Sequence, residues 1–275
     1  TGEDGKEAVS INFAEYLDAH QVAHTKTAQT ATKTRAILQH HFDEYLQYGG
    51  FPEGINLPSK RDYLMSVYQK IYLGDIAARH RIENAFALRF LFKKLSESIM
   101  QPLSFTRLAN LITSTGSKIS KATVINYMEY AKDSYLIFSI KNIASHIAER
   151  EGNPKYYFVD NGIISLLTLN AESALLENMV AMELMRRYGQ DNQVFFYNDK
   201  VEVDFYIPET GTAIQVSMYP HESDETWRRE TEALVRMNKH LPCSTHLLLT
   251  MNEEDTIIID GITIQPISEI GYSGQ

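Results

Sequence analysis

Apolar residues recur at helical spacing through most of the chain and turn to strand-like alternation in two places. Ile11, Phe13, Ala14 and Leu17 predict a short amphipathic helix over residues 11–19. Residues 25–34, rich in Thr, Ala, Gln and Lys, read as a surface loop or a helix start. Ile37, Leu38, His41, Phe42, Tyr45 and Leu46 predict a second helix, which Gly49-Gly50 stops because glycine takes the left-handed conformation that ends helices. After a turn at Phe51-Pro52-Glu53-Gly54, a third helix follows from Tyr63, Leu64, Val67, Tyr68, Ile71, Tyr72 and Ile76.

Residues 85–100 place Leu88, Leu91, Phe92, Leu95 and Ile99 on one face. Pro102 and Ser104 break that helix and open a shorter one over 105–112. A glycine-containing turn at 113–118 leads to Ser120, a good N-cap for a helix over 121–133. Residues 135–140 and 156–159 then alternate as paired strands, joined by a polar loop at 149–154. Helix, helix, turn, helix and two-stranded wing is the order of a winged helix-turn-helix. Beyond it, residues 173–188 predict a helix with Leu176, Met179, Val180 and Leu184 inward and Gly189 as its stop. Strands at 194–197, 201–207 and 213–218, a helix over 224–240, and apolar strands at 246–250 and 256–259 complete an α/β lobe. The expected class is α+β, mixed. A helical region spans 1–84, a winged helix-turn-helix 85–165, and an α/β restriction-endonuclease-like lobe 166–275.

Composition narrows the picture. With 275 residues and 44% hydrophobic content, the chain suits one large domain or two modest ones with real cores. No run of eighteen apolar residues occurs, so no membrane span is expected. Residues 1–7 are too polar for the core of a secretory signal. The single cysteine, Cys243, excludes an internal disulfide and fits a reducing cytoplasm. A net charge of −9 argues against coating nucleic acid through bulk charge, yet residues 85–160 hold ten Lys/Arg against six Asp/Glu. That mildly basic middle is permissive for nucleic acid.

The chain has no G-x-x-x-x-G-K-[ST] motif, so it lacks the backbone cradle and lysine of a P-loop. In the helix over 121–133, Val124, Met128 and Ala131 should face the core. Lys121, Thr123 and Asn126, with Lys118 in the turn, are left at its solvent-facing start. That is where a recognition helix meets a major groove, with lysine for phosphate and Asn or Thr for base edges; winged helices also serve as protein-contact modules. In the α/β lobe, alternation sets Glu202 and Asp204 on one strand face, and Gln215 and Ser217 together on one face of the next strand. Glu177 on the preceding helix completes the layout of a PD-(D/E)XK nuclease, in which carboxylates hold Mg²⁺ and a lysine helps activate water. Gln215 and Ser217 stand where an acid and that lysine belong, so the pattern reads as degenerate: no catalytic residue and no metal ligand is assigned. The bland alternative is two amphipathic strands with a polar outer face. His20 and His24 share helical spacing without a third ligand, His40, His41 and His246 read as structural or solvent-exposed, and Cys243 reads as inert.

These features resemble a widespread bacterial and archaeal ATP-binding family. Tyr48-Gly49-Gly50-Phe51-Pro52-Glu53 is similar to its Gly-Gly-Phe-Pro-Glu turn. Asn126-Tyr127, Tyr135-Leu136-Ile137 and Tyr157-Phe158-Val159-Asp160-Asn161-Gly162 are similar to its winged helix. Leu176-Glu177-Asn178 and Glu202-Val203-Asp204-Phe205 resemble its nuclease-like lobe. The resemblance runs from residue 13 to 267, and such proteins look like an N-terminal AAA-type ATPase joined to a C-terminal domain of uncharacterised function. It implies that residues 1–84 are a lid-like or linker bundle and that ATP and Mg²⁺ belong to an ATPase domain upstream of Thr1. Family members often keep an acid and a lysine where this chain has Gln215 and Ser217. The expected function is a cytoplasmic, non-catalytic effector module that binds DNA or a protein partner, with no membrane role. The alternative is a metal-dependent nuclease with a site rearranged around Glu177, Glu202 and Asp204.

Overall fold

The computed structural model describes residues 10–24, 32–144, 153–189, 193–251 and 255–270. Helix α1 (Phe13–Ala19) starts at Asn12, whose side chain accepts the Glu15 N–H while the Glu15 carboxylate accepts the Asn12 N–H. This reciprocal cap satisfies two orphan donors. Helix α2 (Thr32–Tyr48) follows, and most of the polar stretch before it lies outside the described residues. Helix α3 (Lys60–Gln69) runs straight into a π-helical segment, Lys70–Ala78. Phe13, Leu17, Phe42, Tyr45, Leu64 and Ile76 bury between these elements.

Helices α4 (Ala85–Ser96), α5 (Phe105–Ser114) and α6 (Lys121–Asp133) are capped by Asn84, Ser104 and Ser120, whose side chains accept the N–H groups of Ala87, Arg107 and Thr123. Strands β1 (Ile137–Asn142) and β2 (Lys155–Phe158) pair antiparallel. The first begins later than its alternation suggests because Tyr135 adopts a positive φ of 51°, which kinks the chain as it leaves α6. The loop expected at 149–154 falls mostly outside the described residues. A short helix, α7 (Asn161–Leu167), then forms where no periodicity announces it, capped by the Asp160 carboxylate.

Helix α8 (Glu172–Tyr188) ends at Gly189, at φ +68°. Then come β3 (Phe195–Asn198), β4 (Glu202–Ile207), β5 (Thr212–Ser217), α9 (Asp224–Met237), β6 (Thr245–Thr250), β7 (Ile257–Ile259), β8 (Ile262–Pro266) and α10 (Ile267–Ile270). All eight strands join one mixed sheet in the order β2-β1-β3-β4-β5-β6-β8-β7. The chain is thus a mixed α/β fold with ten α-helices among the described residues. The β1–β2 hairpin joins this sheet through a short parallel pairing of β1 with β3, Lys141 opposite Phe195 and Asn142 opposite Phe196. Asn142 extends that seam: its side chain donates to the Asn198 carbonyl and accepts the Asn198 N–H.

The sheet separates two cores. Phe196, Phe205, Ile214, Val216 and Leu249 join the large core with α8 and the helical region. Val203, Tyr206, Ala213, Leu248 and Ile264 pack with Leu234 and Met237 of α9 in the smaller one. The register of β3 against β4 slips between Phe195–Tyr206 and Tyr197–Val203, so β4 carries an extra residue around Asp204. A bulge of this kind re-aims side chains locally, and it falls on the candidate site.

Candidate functional site

Beyond the Phe205–Ile214 pair, β4 and β5 part, and the Asp204 carboxylate inserts between them. Its Oδ2 accepts the Val216 N–H at 3.0 Å, and its Oδ1 meets Lys155 Nζ at 3.2 Å. Lys155 comes from β2, on the opposite side of β1, and is completely buried. Its ammonium also lies 3.3 Å from Glu177 Oε1 on α8 and 3.7 Å from Glu202 Oε1 on β4. Tyr157, two residues along β2 and hence on the same strand face, donates its hydroxyl to Glu177 Oε1 at 2.8 Å. The Phe196 ring lies 5.5 Å from the ammonium. Glu177 Oε2 is buried and has no hydrogen-bond partner among the described residues.

Three sequence-predicted residues, Glu177, Glu202 and Asp204, therefore converge. Gln215 joins them differently. Its Oε1 accepts the Asp204 N–H at 3.2 Å and its Nε2 donates to Glu230 Oε2 at 2.6 Å. The amide bridges strand and helix, a task that needs an acceptor and a donor on one side chain. Ser217 is buried at the end of β5, and no hydrogen bond links it to the cluster among the described residues. Lys155, Tyr157 and Glu230 escaped the sequence reading. A lysine and a tyrosine at period two in an otherwise apolar strand, Lys155-x-Tyr157, was the available signal. Glu230 had one too: Trp227, Leu234 and Met237 set an apolar face on its helix, and Glu230 falls at helical spacing on that face.

Charge and burial set the electrostatics. Burial pushes the Glu177 carboxyl up to about 8, the Asp204 charge adds to this, and Lys155 and Tyr157 pull against it. Burial works to lower Lys155, but Asp204, Glu177 and Glu202 outweigh it and hold the ammonium above its ordinary value. Burial first, then Glu177 and Asp204, raise the Tyr157 hydroxyl. A cleft of about 960 Å³ opens over this floor. Lys200, Arg228, Arg229 and Arg236 line it beside Glu177, Glu202 and Asp204. All three of those arginines are already held by neighbouring acids: Arg229 by Glu230 and Arg236 by Glu232, each at 2.6 Å, and Arg228 by Glu232 at 3.9 Å. Among the described residues no three His, Cys, Asp or Glu side chains are arranged to hold a metal ion.

The second predicted region lies at the start of α6. Lys118, Lys121 and Asn126 are exposed. Thr123 is half-buried, and its N–H and hydroxyl both engage Ser120 Oγ, at 3.0 and 2.9 Å. Val124, Met128 and Ala131 are fully buried, as their spacing requires. His20 and His24 share no helix face, because α1 ends at Ala19; His20 instead packs against His41, ring centroids 4.8 Å apart. Cys243 is half-buried, and burial pushes its thiol up, as suits an inert group.

The motif turns around Gly49-Gly50 and Asp160 form a separate buried knot. Asp160 accepts from Ser10 Oγ (2.7 Å), Gly50 N (2.8 Å) and Gly162 N (2.8 Å). A Cβ on Gly49, at φ +74°, would lie 1.8 Å from Asp160 Oδ1. Asn178 clamps the adjoining strand end, accepting the Phe158 N–H at 2.7 Å and donating to the Phe158 carbonyl at 3.0 Å.

Residues 39–174 match a domain of unknown function, DUF8612. The DUF8612 match takes in the Gly49-Gly50 turn, the start of α6, the hairpin and Lys155, and stops short of Glu177. An uncharacterized protein of Methanocaldococcus jannaschii is 31% identical over 257 residues, covering 90% of this chain and 57% of its own length. An uncharacterized protein of Haemophilus influenzae is 25% identical over 262 residues, covering 92% and 61%. The chain thus spans less than two thirds of the curated relatives it matches. No solved structure matches it.

Proposed function

We propose that this chain is a non-catalytic binding module of an AAA-type ATPase, and that the start of α6 is its contact surface for duplex DNA. In this reading α4, α5, α6 and the β1–β2 hairpin act as a winged helix, and the segment from α8 to β6 is a nuclease-like lobe that does not cut. The observation that carries it is the exposed group of Lys118, Lys121 and Asn126 at the capped N-terminus of α6. Two lysines there suit phosphate, and an asparagine suits an adenine edge. ATP and Mg²⁺ belong to a P-loop domain elsewhere in the same cytoplasmic polypeptide. The extra length of both relatives leaves room for one, and a reading frame upstream of Thr1 without a nucleotide-binding domain would count against it. Among the described residues, no helix is long and apolar enough to cross a membrane.

Fluorescence anisotropy with a labelled duplex tests the DNA contact. The parent chain should bind weakly and lose affinity with salt. Lys118→Ala/Lys121→Ala should lower the log–log salt slope by about 0.9 per lost contact. An unchanged slope removes these lysines from the interface, and no binding at low salt makes the surface a protein-contact face.

One observation favours a second reading, a metal-dependent nuclease with a rearranged site. Lys155 and Glu230 bring to the carboxylate cluster the lysine and the acid that Ser217 and Gln215 lack. Cleavage of DNA or RNA with Mg²⁺ or Mn²⁺, abolished by Asp204→Asn, would establish it. We expect no cleavage by the parent chain.

A further inference from the structure

The carboxylates of Glu177, Glu202 and Asp204 come from two elements and converge on one point, and Lys155 Nζ occupies that point, 3.2 to 3.7 Å from an oxygen of each. A divalent cation binds such oxygens at about 2.0–2.6 Å. An ion drawn to the same Glu177 and Asp204 oxygens would therefore lie against the ammonium, and two like charges would share a buried space. The lysine has no other place to go. It is fully buried, its strand pairs with β1 through Ile140, and the same strand is clamped at Phe158 by Asn178. Glu177 meanwhile has an oxygen to spare: the residue lines the cleft, and its buried Oε2 has no hydrogen-bond partner among the described residues.

We propose that Lys155 is a built-in counter-cation that keeps divalent metal ions out of this cluster, so that removing its charge turns the cluster into a divalent-cation site. Three acids at one point repel each other strongly, and the fold needs a cation between them. Supplied from β2, that cation also fixes the hairpin against α8 and β4. The proposal concerns the floor of the cleft and not α6, so metal binding and duplex binding succeed or fail separately.

The test uses the full chain, with calorimetric titration of MnCl₂ and thermal melts in MnCl₂ against EDTA. The parent chain should take up no Mn²⁺, and its melting temperature should be the same in both solutions. Lys155→Met, which keeps the volume and removes the charge, should bind Mn²⁺ at least roughly tenfold more tightly than the parent and melt several degrees higher with it. Adding Asp204→Asn should cancel that gain. Parent binding as tight as the variant's overturns the proposal, and so does a folded Lys155→Met chain that ignores Mn²⁺. If Lys155→Met does not fold in EDTA, Mn²⁺ should restore it, and Lys155→Met/Glu177→Gln should fold better without metal. Failure of both restorations also overturns the proposal.

Discussion

Asp160 and Glu177 are both buried acids, and they have opposite surroundings. Each oxygen of Asp160 accepts at least one hydrogen bond, from donors on three separate stretches of chain, and the residue is fully buried. Glu177 shares one oxygen between Lys155 and Tyr157, leaves the other without a partner among the described residues, and borders a cleft. A fully satisfied buried carboxylate is a fastening: it holds the Gly49-Gly50 turn, Ser10 ahead of α1 and the start of α7 together. A half-satisfied one at a cleft retains interaction capacity that folding has not used. Burial moves both groups the same way, Asp160 to about 6 and Glu177 to about 8, so titration alone would not separate the fastening from the site. Hydrogen-bond satisfaction does.

The contrast is sharpest at Asp160. Asp160→Ala strands two backbone N–H groups and a serine hydroxyl, and Gly49→Ala drives a Cβ into the same carboxylate. Each should lower stability by on the order of 3–5 kcal/mol in urea denaturation. A loss below about 1 kcal/mol from either would mean that the knot does not hold these segments. Next comes Glu177→Gln. A carboxyl whose folded pKa is raised contributes stability that is full below its unfolded pKa, near 4.5, and is lost as pH climbs through about 8. The parent chain should therefore weaken between pH 5 and pH 9 by about 2–4 kcal/mol more than Glu177→Gln does. Parallel stability profiles for the two chains would show that Glu177 carries no such strain. Gln215→Glu should act least. It sets a carboxylate against Glu230 Oε2, where the amide now donates, and should cost about 1–3 kcal/mol at pH 7. No cost would mean that Glu230 turns away and the bridge is dispensable.

Much of the fold was legible wherever periodicity and a cap coincide. Ser120 and the spacing of Val124, Met128 and Ala131 give α6 its bounds, and Gly189 closes α8 as its position suggests. What stayed hidden is α7 and α10, each too short for a periodic signal, and β8. The latter was readable in principle: Asp260-Gly261, with φ of 52° and 80°, is a two-residue hairpin turn of the kind that pairs flanking apolar strands. Within the cleft, Glu202 and Asp204 followed from strand alternation, and Glu177 from the upstream helix carboxylate that the nuclease layout asks for. Lys155 and Glu230 did not, because they reach the site from β2 and α9, and only tertiary structure says which distant elements share a face.

One edge of the sheet has a consequence for how copies of this molecule treat one another. Among the described residues strand β7 pairs on one side alone, with β8, and it presents Ile257 and Ile258, the latter 73% exposed. Bare backbone beside isoleucine is a template for a foreign strand, and stacking of such edges is how soluble proteins begin to aggregate. Two features oppose it here: the strand is three residues long, and Asp260 stands at one end, while Asp255 at the other is already paired with Arg35 at 3.4 Å. Together with a net charge of −9, the Asp260 carboxylate makes a second copy approach against repulsion. Solubility of this chain should accordingly fall first where that repulsion is weakest, at high salt and towards its isoelectric point near pH 5.5.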